Sequence, residues 1–224
     1  MDLEREPMDE QEPCPDSRRN PIPSEQASSW ETRITELAAR SFGRAGFTPN
    51  AVTILGGVLM AGVGPLVAQG WFLIAGIGLW LFAWLDHVDG TLARLSAQET
   101  RFGSFLDSMF DRLSEAVVFL GLLLWYGSAE NMFGIVLSYL GMVSTLMVGY
   151  ARSIAAEEGF SPPLGVMPRE RRLATLSIGL ILGSFVREAL DVSLGLIVLL
   201  SLVTIIQRSM HVYTSERSDR RTCT

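Results

Sequence analysis

The residues with chemical potential are concentrated between Trp80 and Glu115, in the stretch WLFAWLDHVDGTLARLSAQETRFGSFLDSMFDRLSE. It opens as an apolar run and then sets out Asp86, Asp89, Asp107 and Asp111, with Arg94, Arg101 and Arg112 among them. On a helix, Asp86, Asp89, Gly90 and Ala93 fall at i, i+3, i+4 and i+7 and share one face. Gly103, Asp107 and Asp111 recur every four residues and share another. Trp71 and Tyr126 suit a far membrane boundary, and each lies 15 residues from an acid, Asp86 and Asp111 respectively. At the helical rise that is about 22 Å, so two antiparallel helices bring their acids to one depth. In a hydrocarbon layer of ~30 Å this depth is one or two turns inside the opposite boundary.

Four carboxylates at one depth repel one another, and ionised acids in a membrane require compensation. Hard divalent cations supply it. Mg²⁺ takes oxygen ligands, uses few carboxylates per ion and leaves positions for water and phosphate. Four acids can hold two such ions, as a clamp on a phosphoryl group in transfer. The plainer alternative is a set of loop acids neutralised by Arg94, Arg101 and Arg112, which leaves the shared faces and depth unexplained.

Such acids need elements that hold them level. Six apolar segments, near 50–68, 71–94, 103–126, 131–152, 172–187 and 190–207, follow a polar start. A crossing helix needs about 20 residues, so the last two, being shorter, must extend their ends into the interface. Irregular backbone cannot face lipid, so all six are read as helices and not strands. The predicted fold is therefore an all-α integral membrane protein with six transmembrane helices. Recurrent Gly and Ala in the spans suit close helix packing in lipid.

Arginine placement orients the chain. With the N-terminus cytoplasmic, that side holds Arg5, Arg18, Arg19, Arg33, Arg40 and Arg44 before the first span. It also holds Arg94 and Arg101, then Arg152, Arg169, Arg171 and Arg172, and finally Arg208, Arg217, Arg220 and Arg221. The outer loops keep Arg187, beside Glu188 and Asp191. This positive-inside bias puts both termini and the acid cluster at the cytoplasmic face of a plasma membrane of prokaryotic type.

The chain of 224 residues is 48% hydrophobic, and its formal charge of −6 is an uneven average, because acids crowd the first 31 positions. Residues 1–28 are rich in Pro, Glu, Asp and Ser and lack aromatics, so they are expected to be a disordered tail. They do not read as a secretory signal, since no basic start leads into an apolar core. Cys14 and Cys223 lie in polar tails and support neither a disulfide scaffold nor a Cys metal site. Residues 29–47 are expected to form an amphipathic helix on the inner leaflet and a linker. Ser28 and Glu31 have capping-box spacing there, though an ordinary helix packed on the protein fits equally well. Thr48 and Pro49 then start the first span of a six-helix domain over 48–208, and 209–224 forms a cytoplasmic tail.

Written as a pattern, the acid region is D86-x-x-D89-G90-x-x-A93-R94, eight residues, then G103-x-x-x-D107-x-x-x-D111. This resembles the signature of the CDP-alcohol phosphatidyltransferase family at every specified position, and the resemblance covers 48–207. Such enzymes transfer a phosphatidyl group from a CDP-linked lipid to an alcohol and release CMP. The resemblance implies that Asp86, Asp89, Asp107 and Asp111 hold divalent metal, Mg²⁺ or Mn²⁺, as two ions. It makes Asp111 the candidate general base toward the acceptor hydroxyl. It implies that Gly90, Ala93 and Arg94 contact the cytidine nucleotide, with Gly103 and Thr100 nearby. Asn50 and Thr53, in the TPNAVT start of span one, are implied to approach the pyrophosphate. It also suggests a homodimer. His87 falls at an unspecified motif position, and a place against a neighbouring helix or headgroups is a simpler reading than a fifth ligand.

The run GYARSIAAEEGFSPPLGVMPRERRLATL bears on the acceptor. Clustered guanidiniums at the mouth of a metal site can bind an acceptor that itself carries phosphate, or simply continue the positive-inside charge. The run resembles the phosphatidylinositol-phosphate synthase branch of the family, with Tyr150, Arg152, Arg169 and Arg172 matching. Ile154 and Ala156 depart from its second basic and its acidic positions, and Glu170 and Arg171 stand where Pro and Glu are expected. Arg152, Arg169 and Arg172 are the candidate acceptor-phosphate residues. Inositol phosphate is the leading acceptor and glycerol 3-phosphate the alternative. In a different class, intramembrane acids can serve a divalent-cation transporter. Against transport, the acids lie near one face and spans four and six hold almost no ionisable residues. A nucleic-acid partner has no support. Asp111→Asn is expected to abolish turnover while nucleotide binding largely survives, measured as CMP release beside CDP-lipid binding. Lost metal binding without a specific kinetic defect would remove Asp111 as the base.

Overall fold

The computed structural model describes residues 49–82, 101–160 and 165–222, and no strand occurs among them. Among the described residues there are seven helices: α1 Pro49–Ala61, α2 Val63–Ala68, α3 Phe72–Phe82, α4 Arg101–Ser128, α5 Met132–Glu157, α6 Arg169–Gly183 and α7 Arg187–Thr222. The expected interfacial helix at 29–47 and the tail at 1–28 lie outside the described residues.

Local chemistry explains the breaks. The first apolar segment is two helices because Pro65 has no N–H to return to Ala61, and the chain turns at Gly62. Gly70 adopts φ 78° after α2, and Trp71 N–H reaches back to the Leu66 carbonyl at 3.0 Å, closing the helix end. A second reversal, after α4, uses Glu130 at φ 52°, with Asn131 N–H on the Tyr126 carbonyl at 3.0 Å. Asn131 then caps α5 by accepting from Gly134 N–H at 3.1 Å. α7 continues as helix well past the last apolar segment, to Thr222, through the stretch expected as a tail.

α4 is central. It packs on α1, α2 and α5, while α7 packs on α5 and α6. Small residues set the spacing. A Cβ on Gly121 of α4 would lie 2.2 Å from the Gly64 carbonyl oxygen of α2, and one on Gly76 of α3 would lie 2.9 Å from the Ser177 carbonyl oxygen of α6. Ser177 also donates to the Gly76 carbonyl at 2.8 Å, joining α3 to α6. Val63, Val67, Leu79, Leu122, Leu180, Leu190, Leu194 and Ile197 form the buried core. Outside it, Phe133, Leu199 and Ile206 are 65%, 60% and 58% exposed, part of an extensive apolar exterior of the kind that faces lipid. Met132–Glu157 and Arg187–Glu216 are long and apolar enough to cross a membrane, and Thr53–Ala68 and Phe72–Phe82 are shorter apolar helices.

One end of the bundle gathers aromatics. Phe72 meets Trp125 edge-on at 4.7 Å, and Arg187 lies over Trp125 at 5.9 Å. Tyr126, expected at the membrane boundary, faces into the bundle and is buried at 2% exposure. Its hydroxyl donates to Asp191 of α7 and its ring fills the space beside Gly134. The polar tip finds its partner inside the bundle, so it need not reach water.

Gly121→Ala is expected to cost about 1–3 kcal/mol, because the added methyl meets backbone and not a movable side chain. Gly195→Ala, with nothing within 4 Å of its Cβ position, is expected to be neutral or slightly stabilising. Thermal unfolding of both variants in detergent measures the difference.

Candidate active site

The acidic face of α4 runs inward. Gly103, Asp107 and Asp111 follow at one-turn intervals, and the period does not stop there: Glu115 stands one turn further on. Asp107 and Asp111 are half-buried, whereas Glu115 is 6% exposed. A carboxylate at that depth requires a cationic partner.

The first turn of α6 provides two. Arg169 and Arg172, at i and i+3, both turn toward α4. Arg169 places Nη2 on Asp111 Oδ1 at 2.6 Å and Nε on Glu115 Oε1 at 3.2 Å. Arg172 places Nη2 on Glu115 Oε2 at 3.2 Å. Arg171, between them in sequence, points away, is exposed, and donates to the Val166 carbonyl at 3.2 Å. The guanidinium of Arg169 thus spans one turn of α4, about 6 Å, from Asp111 to Glu115.

The loop ahead of α6 fixes this turn. Met167 is buried and its N–H donates to Thr204 Oγ1 of α7 at 2.9 Å. Gly165 takes φ 79° hard against Thr204, where a Cβ would lie 2.4 Å from its methyl. Pro168 is the N-cap residue of α6, so the arginines follow at once.

A further guanidinium lies behind. Arg208 of α7 is 4% exposed and donates to the Val148 carbonyl of α5 at 2.6 Å. The positive charges acting on it come from Arg152 of α5 and Arg172 of α6, so three helices direct arginines to one region. Arg152 itself is exposed. On the other side of Arg169, a small cavity is lined by Thr53, Gly56, Gly57, Met60, Asp111 and Arg169. Arg112 does not join the acids: it donates to Ser153 of α5 at 2.8 Å and to the Ser108 carbonyl at 3.2 Å.

Of the residues singled out in the sequence, the structure brings Asp111, Arg169 and Thr53 to one cavity and Arg172 next to them. Asp107 and Gly103 share the face of Asp111, and Asn50 lies in the first turn of α1. Asp86, Asp89, Gly90, Ala93, Arg94 and Thr100 lie outside the described residues, as does His87. Among the described residues no group of three His, Cys, Asp or Glu side chains could hold a metal ion. Asp107 and Asp111 present hard oxygen donors one turn apart, a donor chemistry that fits Mg²⁺ or Mn²⁺ once further carboxylates join. Sequence reasoning passed over Glu115 and Arg208. The four-residue period from Gly103 carries on to Glu115 and could have found it. Arg208 sits at the end of an apolar segment, where positive-inside charge was explanation enough.

Comparison with known proteins bears on this arrangement. The family model described as CDP-alcohol phosphatidyltransferase matches residues 47–207. A phosphatidylinositol phosphate synthase of Mycobacteroides abscessus is 34% identical over 190 residues, covering 82% of this chain and 85% of that protein. One from Mycobacterium marinum is 33% identical over 190 residues, covering 82% and 81%. The crystal structure of Mycobacterium tuberculosis phosphatidylinositol phosphate synthase with CDP-DAG bound superposes with a TM-score of 0.75 at 31% identity, covering 81% of this chain and 94% of that chain. The same protein in complex with manganese and citrate gives a TM-score of 0.75 at 30% identity, covering 81% and 90%.

Arg172→Gln is expected to lose about 3 kcal/mol of stability, the low end for stripping a partner from a buried ion pair, because Arg169 still meets Glu115. Arg171→Gln is expected to stay within about 0.5 kcal/mol. Unfolding in detergent, followed for both, separates the inward from the outward arginine.

Proposed function

The chain belongs to the CDP-alcohol phosphatidyltransferase family, and from that membership we propose that it moves a phosphatidyl group from a CDP-linked lipid to inositol phosphate, releasing CMP. It is a membrane transferase of phospholipid biosynthesis. The observation that carries the acceptor reading is the juxtaposition of Asp111 with Arg169: a carboxylate able to take a proton stands 2.6 Å from a guanidinium able to hold a phosphate.

The reaction is a direct displacement. The acceptor hydroxyl oxygen forms a bond to the lipid-side phosphorus, the bond from that phosphorus to the CMP oxygen breaks, and the hydroxyl proton passes to Asp111. Asp107 and Asp111, with Asp86 and Asp89, are the residues that hold divalent metal in this reading, Mg²⁺ or Mn²⁺ as two ions. Bound there, the metal neutralises the pyrophosphate and the charge growing on departing CMP. Gly90, Ala93, Arg94, Thr100 and Gly103 contact the nucleotide, and Asn50 and Thr53 approach the pyrophosphate. Support for a CDP-lipid donor and for metal comes from the mycobacterial relative crystallised with CDP-DAG and, separately, with manganese.

Arg152, Arg169 and Arg172 hold the acceptor phosphate. Planar forks match phosphate oxygens in pairs, and a neutral alcohol has no use for them. The names of the relatives favour inositol phosphate over glycerol 3-phosphate. A lipid donor accounts for the depth of the acids: acyl chains stay in the bilayer while the headgroup meets metal near one face. In this reading the chain crosses the membrane six times after an interfacial helix, keeps both termini cytoplasmic and pairs as a homodimer.

Purified protein with Mn²⁺ or Mg²⁺ and CDP-diacylglycerol is expected to release CMP when inositol phosphate is added, and chelation of the metal is expected to stop it. Mass spectrometry of the lipid product identifies the acceptor from a panel that includes inositol and glycerol 3-phosphate. Product formed with glycerol 3-phosphate and not inositol phosphate replaces the acceptor. No acceptor-dependent release with any compound overturns the reading.

A further inference from the structure

We infer that Glu115 is a positioning residue that sets Arg169 and Arg172 as a phosphate clamp at a fixed distance from Asp111. The inference rests on the acceptor reading above and adds to it a residue outside the motif pattern.

Glu115 continues the stripe of Asp107 and Asp111 by one turn but sits in a different environment, 6% exposed. Its two oxygens are divided between two arginines: Oε1 accepts from Arg169 Nε at 3.2 Å and Oε2 from Arg172 Nη2 at 3.2 Å. Arg169 spends its other branch on Asp111 at 2.6 Å. One carboxylate therefore orients both forks, and one of those forks reaches the base. Arg172 and Arg208 are buried on α6 and α7, and like charges so placed repel one another in a low dielectric. Glu115 supplies the opposing charge between Arg169 and Arg172.

Glu115 acts from behind and does not touch the acceptor. On its far side lies a cavity of about 10 Å³, lined by Glu115, Thr145 and Arg172 among apolar residues. Thr145 Oγ1 and Arg172 Nε are buried there without a hydrogen-bond partner. That space fits one water and excludes a sugar phosphate. The acceptor reading places the phosphate on the other side of Arg169, beside Asp111 and Thr53, where the cavity in this structure is equally small, about 10 Å³.

The test uses the full chain in detergent with Glu115→Gln and Glu115→Asp, each read four ways: KM for inositol phosphate, KM for CDP-diacylglycerol, affinity for inorganic phosphate by calorimetry, and Tm. Glu115→Gln is expected to raise the acceptor KM and weaken phosphate binding about tenfold each, with the donor KM within about twofold. Glu115→Asp keeps the charge but retracts it by one methylene, so a rise of about threefold on the acceptor and phosphate measurements is expected at near-native Tm. Should Glu115→Gln fail to fold, Glu115→Asp carries the test. Unchanged phosphate affinity in a folded variant, or donor and acceptor KM rising together, would mean that Glu115 merely ties α4 to α6 and would overturn the inference. Phosphate calorimetry needs no turnover, so absence of transferase activity in the unaltered protein sinks the functional reading and leaves the clamp separately measurable.

Discussion

A guanidinium shared by two carboxylates one helical turn apart is the contact on which the rest of this site depends. Arg169 meets Asp111 and Glu115 of α4 at once. Inside a lipid-facing bundle, water is too scarce to stabilise an isolated charge, so each buried acid dictates where a cation must come from. The acids lie on the central helix, and the first turn of α6 must therefore face it. The direction of α6, the path of the loop before it and the neighbourhood of α7 follow from that demand. Arg172, buried on the same face, doubles the tie.

The demand can be met only because the helices come close. Gly64 and Gly121 let α2 and α4 touch backbone to backbone, and Gly76 does the same for α3 against α6. Without a hydrophobic driving force between helices in lipid, such contacts supply the packing energy that aqueous burial supplies elsewhere. A site held by this packing has little freedom. Thr204 fixes the Met167 amide, Pro168 opens α6, and Arg169 arrives opposite its acids without needing to search for them.

The two ends of the bundle use charge differently. At one end, Tyr126 and Asp191 satisfy each other, and Arg187 rests on Trp125, so few polar groups are left for a substrate. At the other, acids and arginines gather at one level, with Arg152 and Arg208 near the Glu115 pairs. In the proposed reaction a pyrophosphate and a phosphorylated alcohol meet at this end.

How much of this was legible without coordinates differs residue by residue. The helical class followed from apolar run length, and the shared face of Asp107 and Asp111 followed from a four-residue period, because both are local properties of a chain at fixed helical pitch. The family, too, was written in the spacing from Asp86 to Asp111. That Tyr126 turns into the bundle was not legible, because periodicity cannot say that Asp191, 65 positions later, waits there for its hydroxyl. In the same way, RERR shows three arginines in a row of four, but only the packing of α6 on α7 and its ion pairs to α4 decide that Arg169 and Arg172 turn inward and Arg171 outward. Sequence by itself determined which groups are present and how they repeat along each helix. Tertiary structure alone decided which charges meet, because pairing between Glu115 and residues 54 and 57 positions away depends on how separate helices lie against one another.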